Sequence, residues 1–154
     1  MEKIGQIILL FAIIALNSCS SDNECEDIAC MTPPSPLYFE IIDETTGLNA
    51  FESGLIEPGD IYITNKDSEN VPFDFLNQRN LIRMSEITFT TGPHVYQLGI
   101  KDELLISFKL DMKIEEVNCC TFSKLVDFKV ISFDYEFDEE EYWAKIFINL
   151  NPEE

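Results

Sequence analysis

The side chains able to do chemistry are few in kind and unevenly placed. The chain of 154 residues has one histidine, His94, and sets 29 acidic against 10 basic side chains, a formal charge of -19. An imidazole is the usual general base near neutral pH. His94, however, follows the turn Thr91-Gly92-Pro93 and shares strand parity with Tyr96 and Leu98, so a partly buried structural histidine is expected. No G-x-S-x-G elbow is present to expose a nucleophilic serine. A glycosidase needs two carboxylates, but in so acidic a chain pairs arise freely. No catalytic residue is therefore assigned, and a non-enzyme is expected. The densest acidic run, Asp138-Glu139-Glu140-Glu141, offers the hard oxygen ligands that calcium prefers. It lacks the D-x-[DN]-x-[DN]-G spacing of a calcium loop and reads as a solvated hairpin tip, with calcium a weak candidate and no cofactor expected. Beside it, Tyr135, Tyr142 and Trp143 read as a core or rim aromatic cluster, with an aromatic platform for a ligand such as a sugar as the alternative. The negative charge repels phosphate backbones, so no nucleic-acid partner is expected.

The address is more specific than the chemistry. Ile7 to Leu16 is an unbroken apolar run behind Met1-Glu2-Lys3. A helix rising ~1.5 Å per residue over that run covers only about half of a ~30 Å hydrocarbon core. The run is too short to span and suits the apolar region of a secretory signal. It ends in Leu16-Asn17-Ser18-Cys19, which resembles the lipobox of bacterial lipoproteins. That resemblance implies that residues 1–18 are removed and that Cys19 is acylated as the first residue of the mature chain. Two or more acyl chains, at ~0.8 kcal/mol per buried CH₂, anchor a protein to a bilayer stably. Ser20-Ser21-Asp22-Asn23-Glu24 is similar to the acidic export signals of surface lipoproteins in Bacteroidota. An outer-membrane, lipid-anchored, surface-exposed protein is expected, with a periplasm-facing one as the alternative.

With Cys19 acylated, Cys25, Cys30, Cys119 and Cys120 remain. An even number in an exported chain reads as two disulfides, with three pairings open. Joining Cys119 to Cys120 needs a strained vicinal bridge, so at least one crossed bridge from Cys25 or Cys30 to the adjacent pair is preferred. The spacing Cys25-x₄-Cys30 also fits structural zinc, but Cys119-Cys120 has no spacer to let both sulfurs face one ion.

These groups must be carried by strands. After a polar, proline-rich tether at 19–36, Leu37–Asp43 alternates with Phe39 and Ile41 on one face. Turns are expected at Thr46-Gly47, Ser53-Gly54 and Pro58-Gly59. Further strands are expected at Asp60–Thr64, around Val71, Phe73 and Phe75 (an edge, because of Pro72), at Leu81–Thr90 with a bulge near Ser85-Glu86, and from His94 to Ile100. The cleanest is Leu104–Ile114, with Ile106, Phe108, Leu110, Met112 and Ile114 facing inward. Lys124–Phe137 reads as strand with a phase switch, Val126, Phe128 and Val130 handing over to Ile131, Phe133, Tyr135 and Phe137. Tyr142–Leu150 closes the pattern. About eight short strands and no amphipathic helix predict an all-β fold, an antiparallel β-sandwich, Ig-like or similar, over residues 37–154.

Thr32-Pro33-Pro34, the run from Tyr38 to Gly47, Phe51, Gly54 and the adjacent Cys119-Cys120 resemble a group of uncharacterised flavobacterial-type Bacteroidota lipoproteins. The resemblance carries no activity. The expected function is a membrane-anchored, non-enzymatic binding or structural module with a protein or glycan ligand. The alternative is a glycan-acting hydrolase using a carboxylate pair.

Overall fold

The computed structural model describes residues 35–85, 91–101, 104–117 and 120–150. Nine strands lie among them: β1 (Leu37–Asp43), β2 (Ile61–Asn65), β3 (Asp74–Leu76), β4 (Leu81–Met84), β5 (Gly92–Ile100), β6 (Leu104–Val117), β7 (Cys120–Ile131), β8 (Tyr135–Asp138) and β9 (Trp143–Ile148). They form two sheets, β3-β4-β1-β9-β8 and β2-β5-β6-β7. The all-β sandwich expected from period-two alternation is what the chain adopts. Among the described residues the one helical turn is a 3₁₀ turn at Pro58–Asp60, where Pro58 presets φ and the Asp60 carboxylate accepts the Glu57 N–H at 2.8 Å.

Strand parity sets the core. Phe39, Ile41, Ile82, Met84, Ala144 and Ile146 from one sheet meet Ile63, Leu98, Ile106, Phe108 and Leu110 from the other, all buried. At the centre Phe39 meets Phe108 with ring centroids 4.9 Å apart, and Phe128 lies 6.2 Å from each. Tilted rings at these separations add about 0.5–1.5 kcal/mol per pair beyond their burial.

The pairing departs from expectation in several places. The nine strands among the described residues agree with the expected number of about eight, but β1 pairs parallel with β9, Tyr38 against Trp143 through Asp43 against Ile148. The sandwich is therefore not wholly antiparallel. The long segment Lys124–Phe137 is two strands in two sheets. β7 ends at Ile131, Ser132 takes φ 72°, and the chain crosses to begin β8 at Tyr135. Thr91-Gly92-Pro93 is not simply a turn, because Gly92 and Pro93 already pair with Met112 and Asp111. Val71 and Phe73 precede β3 rather than belong to it, although β3 is the edge strand that Pro72 suggested. The bulge expected near Ser85-Glu86 lies where the described residues stop, since 86–90 are outside them.

A bulge does occur in β7. Asp111 faces Asp127 but Met112 faces Leu125, so Val126 has no opposite number. Val126 is pushed outward and is 59% exposed. β6 continues to Val117, past Gly92, the first residue of β5, which faces Met112. Ile114, expected to face inward, lies in this two-stranded extension and is 41% exposed. The alternation in β6 is genuine, but the opposing sheet no longer covers it there.

Candidate functional site

The outward face of the five-stranded sheet carries a row of side chains set by register. Asp74 on β3 faces Arg83 on β4, Arg83 faces Tyr38 on β1, Tyr38 faces Trp143 on β9, and Trp143 faces Asp138 on β8. Arg83 donates to Asp74 Oδ2 from Nη2 at 2.6 Å and from Nε at 3.2 Å. The bond to Asp74 and its charge hold the guanidinium still more firmly protonated. One rung along, Glu40 faces Lys145, and Lys145 faces Glu136. Lys145 leans over the indole, its Nζ 5.2 Å from the Trp143 ring centroid, a cation–π contact.

Between these rungs runs an open groove of about 580 Å³, lined by Tyr38, Glu40, Arg79, Leu81, Glu141 and Trp143. Its centre is β1, which supplies Tyr38 and Glu40. Leu81 and Arg79 flank it on the β4 side, while Trp143 and Glu141 flank it on the β9 side. Tyr38 and Trp143 are half-buried, whereas Arg79 and Glu141 are exposed. Arg79 makes no ion pair among the described residues. The Trp143 indole N–H is enclosed with no acceptor among them.

Two turns hold the rims. On one side Asn80 takes φ 54°, and its carbonyl accepts the Asn49 side-chain amide at 3.1 Å. Asn49 is 7% exposed; its Oδ1 accepts the Phe51 N–H at 2.9 Å and its Nδ2 reaches Glu40 Oε1 at 3.4 Å. One buried amide therefore ties the 49–56 loop to β1 and to the Arg79 turn. On the other side the acidic tip is ordered by its first residue, since Asp138 Oδ1 accepts the N–H groups of Glu140 and Glu141 at 2.9 and 3.0 Å. Tyr142 then takes φ 51°, an uncommon conformation for a bulky residue, and its carbonyl accepts the Tyr38 N–H at 2.9 Å.

The aromatic platform proposed from sequence is not assembled from Tyr135, Tyr142 and Trp143. Tyr135 faces Ile146, meets Phe128 edge-on at 5.7 Å, and donates its hydroxyl to the Phe128 carbonyl at 3.3 Å. Tyr142 packs against the core and lines a separate cavity of about 140 Å³ with Phe128 and Phe137. Trp143 alone stays on the outward face, and its aromatic neighbour is Tyr38. The missed signal was in the sequence: Tyr38 has outward parity beside inward Phe39, an aromatic on the same strand face as Glu40. Arg79 offered no such signal.

Among the described residues no group of three or more His, Cys, Asp or Glu is placed to hold a metal ion. The weak calcium candidate Asp138, Glu139, Glu140 and Glu141 is thus not assembled as a ligand set. His94 faces Leu110 across β5 and β6, half-buried on the inward parity expected for it. Cys120 opens β7 and is disulfide-bonded. Cys19, Cys25, Cys30 and Cys119 lie outside the described residues. The chain matches no protein-family model, no curated protein and no solved structure.

Proposed function

We propose that this chain is an exported lipoprotein of the flavobacterial-type Bacteroidota group, held in the outer membrane through acylated Cys19 with its sandwich on the cell surface. There it acts as a non-enzymatic binding module. The observation that carries the binding role is the groove at Tyr38 and Trp143. It combines half-buried aromatic surface with two charges, Arg79 and Glu141, that make no ion pair among the described residues, and a concave surface of that kind is a candidate interaction site. The anchor rests on Leu16-Asn17-Ser18-Cys19 behind ten apolar residues. At least one crossed bridge, from Cys25 or Cys30 to the Cys119-Cys120 pair, completes the reading by fastening the tether to the far end of the β6–β7 extension.

The alternative, a glycan-acting hydrolase, has one observation in its favour: Glu40 and Glu141 line the same groove, and glycoside hydrolysis uses a pair of carboxylates in one site. Mass spectrometry of the protein extracted from membranes, with protease shaving of intact cells, tests the address. A diacylglyceryl-modified Cys19 and shaving-sensitive protein are expected; an unmodified Cys19 or a retained 1–18 segment overturns it. Reducing-end release from a polysaccharide panel tests the role. Turnover that is lost in Glu141→Gln overturns the binding reading in favour of the hydrolase.

A further inference from the structure

We infer that the groove across β4, β1 and β9 is a binding site for an uncharged saccharide. The inference rests on the binding-module reading above and names its ligand class.

The shape and chemistry of the lining decide the class. The centre of the groove is aromatic and apolar, from Tyr38, Trp143 and the buried Leu81. The polar groups are planar: the Arg79 guanidinium on one flank, the Glu141 carboxylate on the other and the Glu40 carboxylate beside the centre. Planar forks pair with two neighbouring hydroxyls at once, the guanidinium as donor and the carboxylates as acceptors. Sugar rings match this arrangement because one ring face is a patch of C–H groups and the edge is a run of hydroxyls that both donate and accept. At about 580 Å³ the groove falls within the ~300–1,000 Å³ range of small-ligand sites.

Charge excludes the neighbouring classes. An anionic ligand would meet Glu40 and Glu141 on a chain of formal charge -19, and like charges at a binding face oppose association. A cationic ligand gains from the overall charge but is opposed within the groove. The ring that would attract it, Trp143, already has Lys145 over it at 5.2 Å, and Arg79 adds a second positive charge. What remains is a neutral ligand with an apolar face and hydroxyls of both hydrogen-bonding senses. Arg79 and Glu141 form no ion pair across the groove, so neither must be freed from the other before such a ligand binds.

The protein carries its own reporter, because Trp143 is the only tryptophan in the chain. The experiment titrates the mature acylated protein, in a detergent without a sugar head group, with neutral gluco-, manno- and xylo-oligosaccharides while following tryptophan emission. A saturable shift with at least one of them is expected. Arg79→Ala and Tyr38→Ala are each expected to weaken it by about tenfold or more, whereas Val95→Ala, on the outward face of the other sheet, leaves it unchanged. Circular dichroism of each variant separates lost binding from lost fold, and Arg79→Lys serves where Tyr38→Ala does not fold. No shift across the neutral panel at millimolar concentration overturns the inference. So does a shift that survives Arg79→Ala and Tyr38→Ala, which places the sugar elsewhere. Binding of a uronate oligosaccharide or of choline in preference to every neutral sugar also overturns it. None of these failures touches acylation at Cys19, so the anchor is judged separately.

Discussion

At the scale of single residues, two positions carry more of the architecture than their types suggest. Asp43 ends β1 on the inward parity and is fully buried. Its Oδ2 accepts the Thr46 hydroxyl at 2.7 Å and the Thr46 N–H at 3.1 Å. The hydroxyl is the main reason its pKa lies below the ordinary 3.8; burial opposes this, and the amides of Thr46, Leu150 and Thr45 reinforce it. Oδ1 has no partner at hydrogen-bond distance among the described residues. Because the folded pKa is depressed, the stability from ionised Asp43 is fully present above pH 3.8 and is lost as the pH falls below it. Asp43→Asn is expected to lower stability by about 1–3 kcal/mol at pH 7, and the gap to wild type is expected to narrow in melts below pH 3.8. An unchanged gap rules out the carboxylate as its source. Gly99 is the second position. It sits inside β5 facing Tyr62, and a Cβ there would overlap the Tyr62 ring. Gly99→Ala is expected to destabilise by about 1–3 kcal/mol through overpacking, and Gly99→Ala with Tyr62→Leu to recover part of that loss. Urea midpoints of the two variants check it, and equal midpoints remove the ring as the cause.

At the scale of elements, the β6–β7 extension stands out. Its like-charged rung Lys113–Lys124 is bridged by Glu115, which takes Lys113 Nζ at 2.9 Å and Lys124 Nζ at 4.0 Å. The bond from Lys113, then its charge and that of Lys124, lower the Glu115 pKa. These groups are solvated, and exposed pairs of this kind add little. Cys120 lies at the end of the extension, so a bridge there restrains an element that the opposing sheet does not cover. With Cys25 or Cys30 as its partner, the closed loop of about 90 residues is rated at roughly 4–5 kcal/mol by chain entropy, an upper guide because strain subtracts. Cys25→Ser combined with Cys30→Ser is expected to lower the melting temperature by several degrees while leaving far-UV circular dichroism intact. A double variant that melts like wild type, or a mapped Cys25–Cys30 peptide, defeats the staple.

For the whole molecule the governing quantity is charge. A formal charge of -19 opposes compaction by self-repulsion, and exposed repulsions are screened over about 10 Å at 0.1 M salt. Only four ion pairs are formed among the described residues, and most of their members are well exposed. The melting temperature is therefore expected to rise with sodium chloride from the low-millimolar range to several hundred millimolar. A flat or falling trend would show that attractive pairs outweigh the excess of acids.

Alternation with period two decided the class of the fold from sequence. β1 runs over the predicted Leu37–Asp43, and the inward residues of β6 through Met112 are those its pattern named. The apolar run and Leu16-Asn17-Ser18-Cys19 likewise stand as a motif whatever the domain does. Alternation is local, however: it marks which side chains share a face, but not which strand lies alongside or how far the opposite sheet extends. Hence Ile114 obeys the pattern and is still exposed, Val126 breaks it through a bulge, and the parallel pairing of β1 with β9 left no trace in either segment. The groove belongs to this second kind of information. Tyr38, Arg79 and Trp143 lie far apart in the chain, and only the order β4-β1-β9 brings them together. The nearby aromatics Tyr135 and Tyr142, adjacent in sequence to the same tip, are taken by the core, because strand parity and the left-handed turn at Tyr142 direct them there.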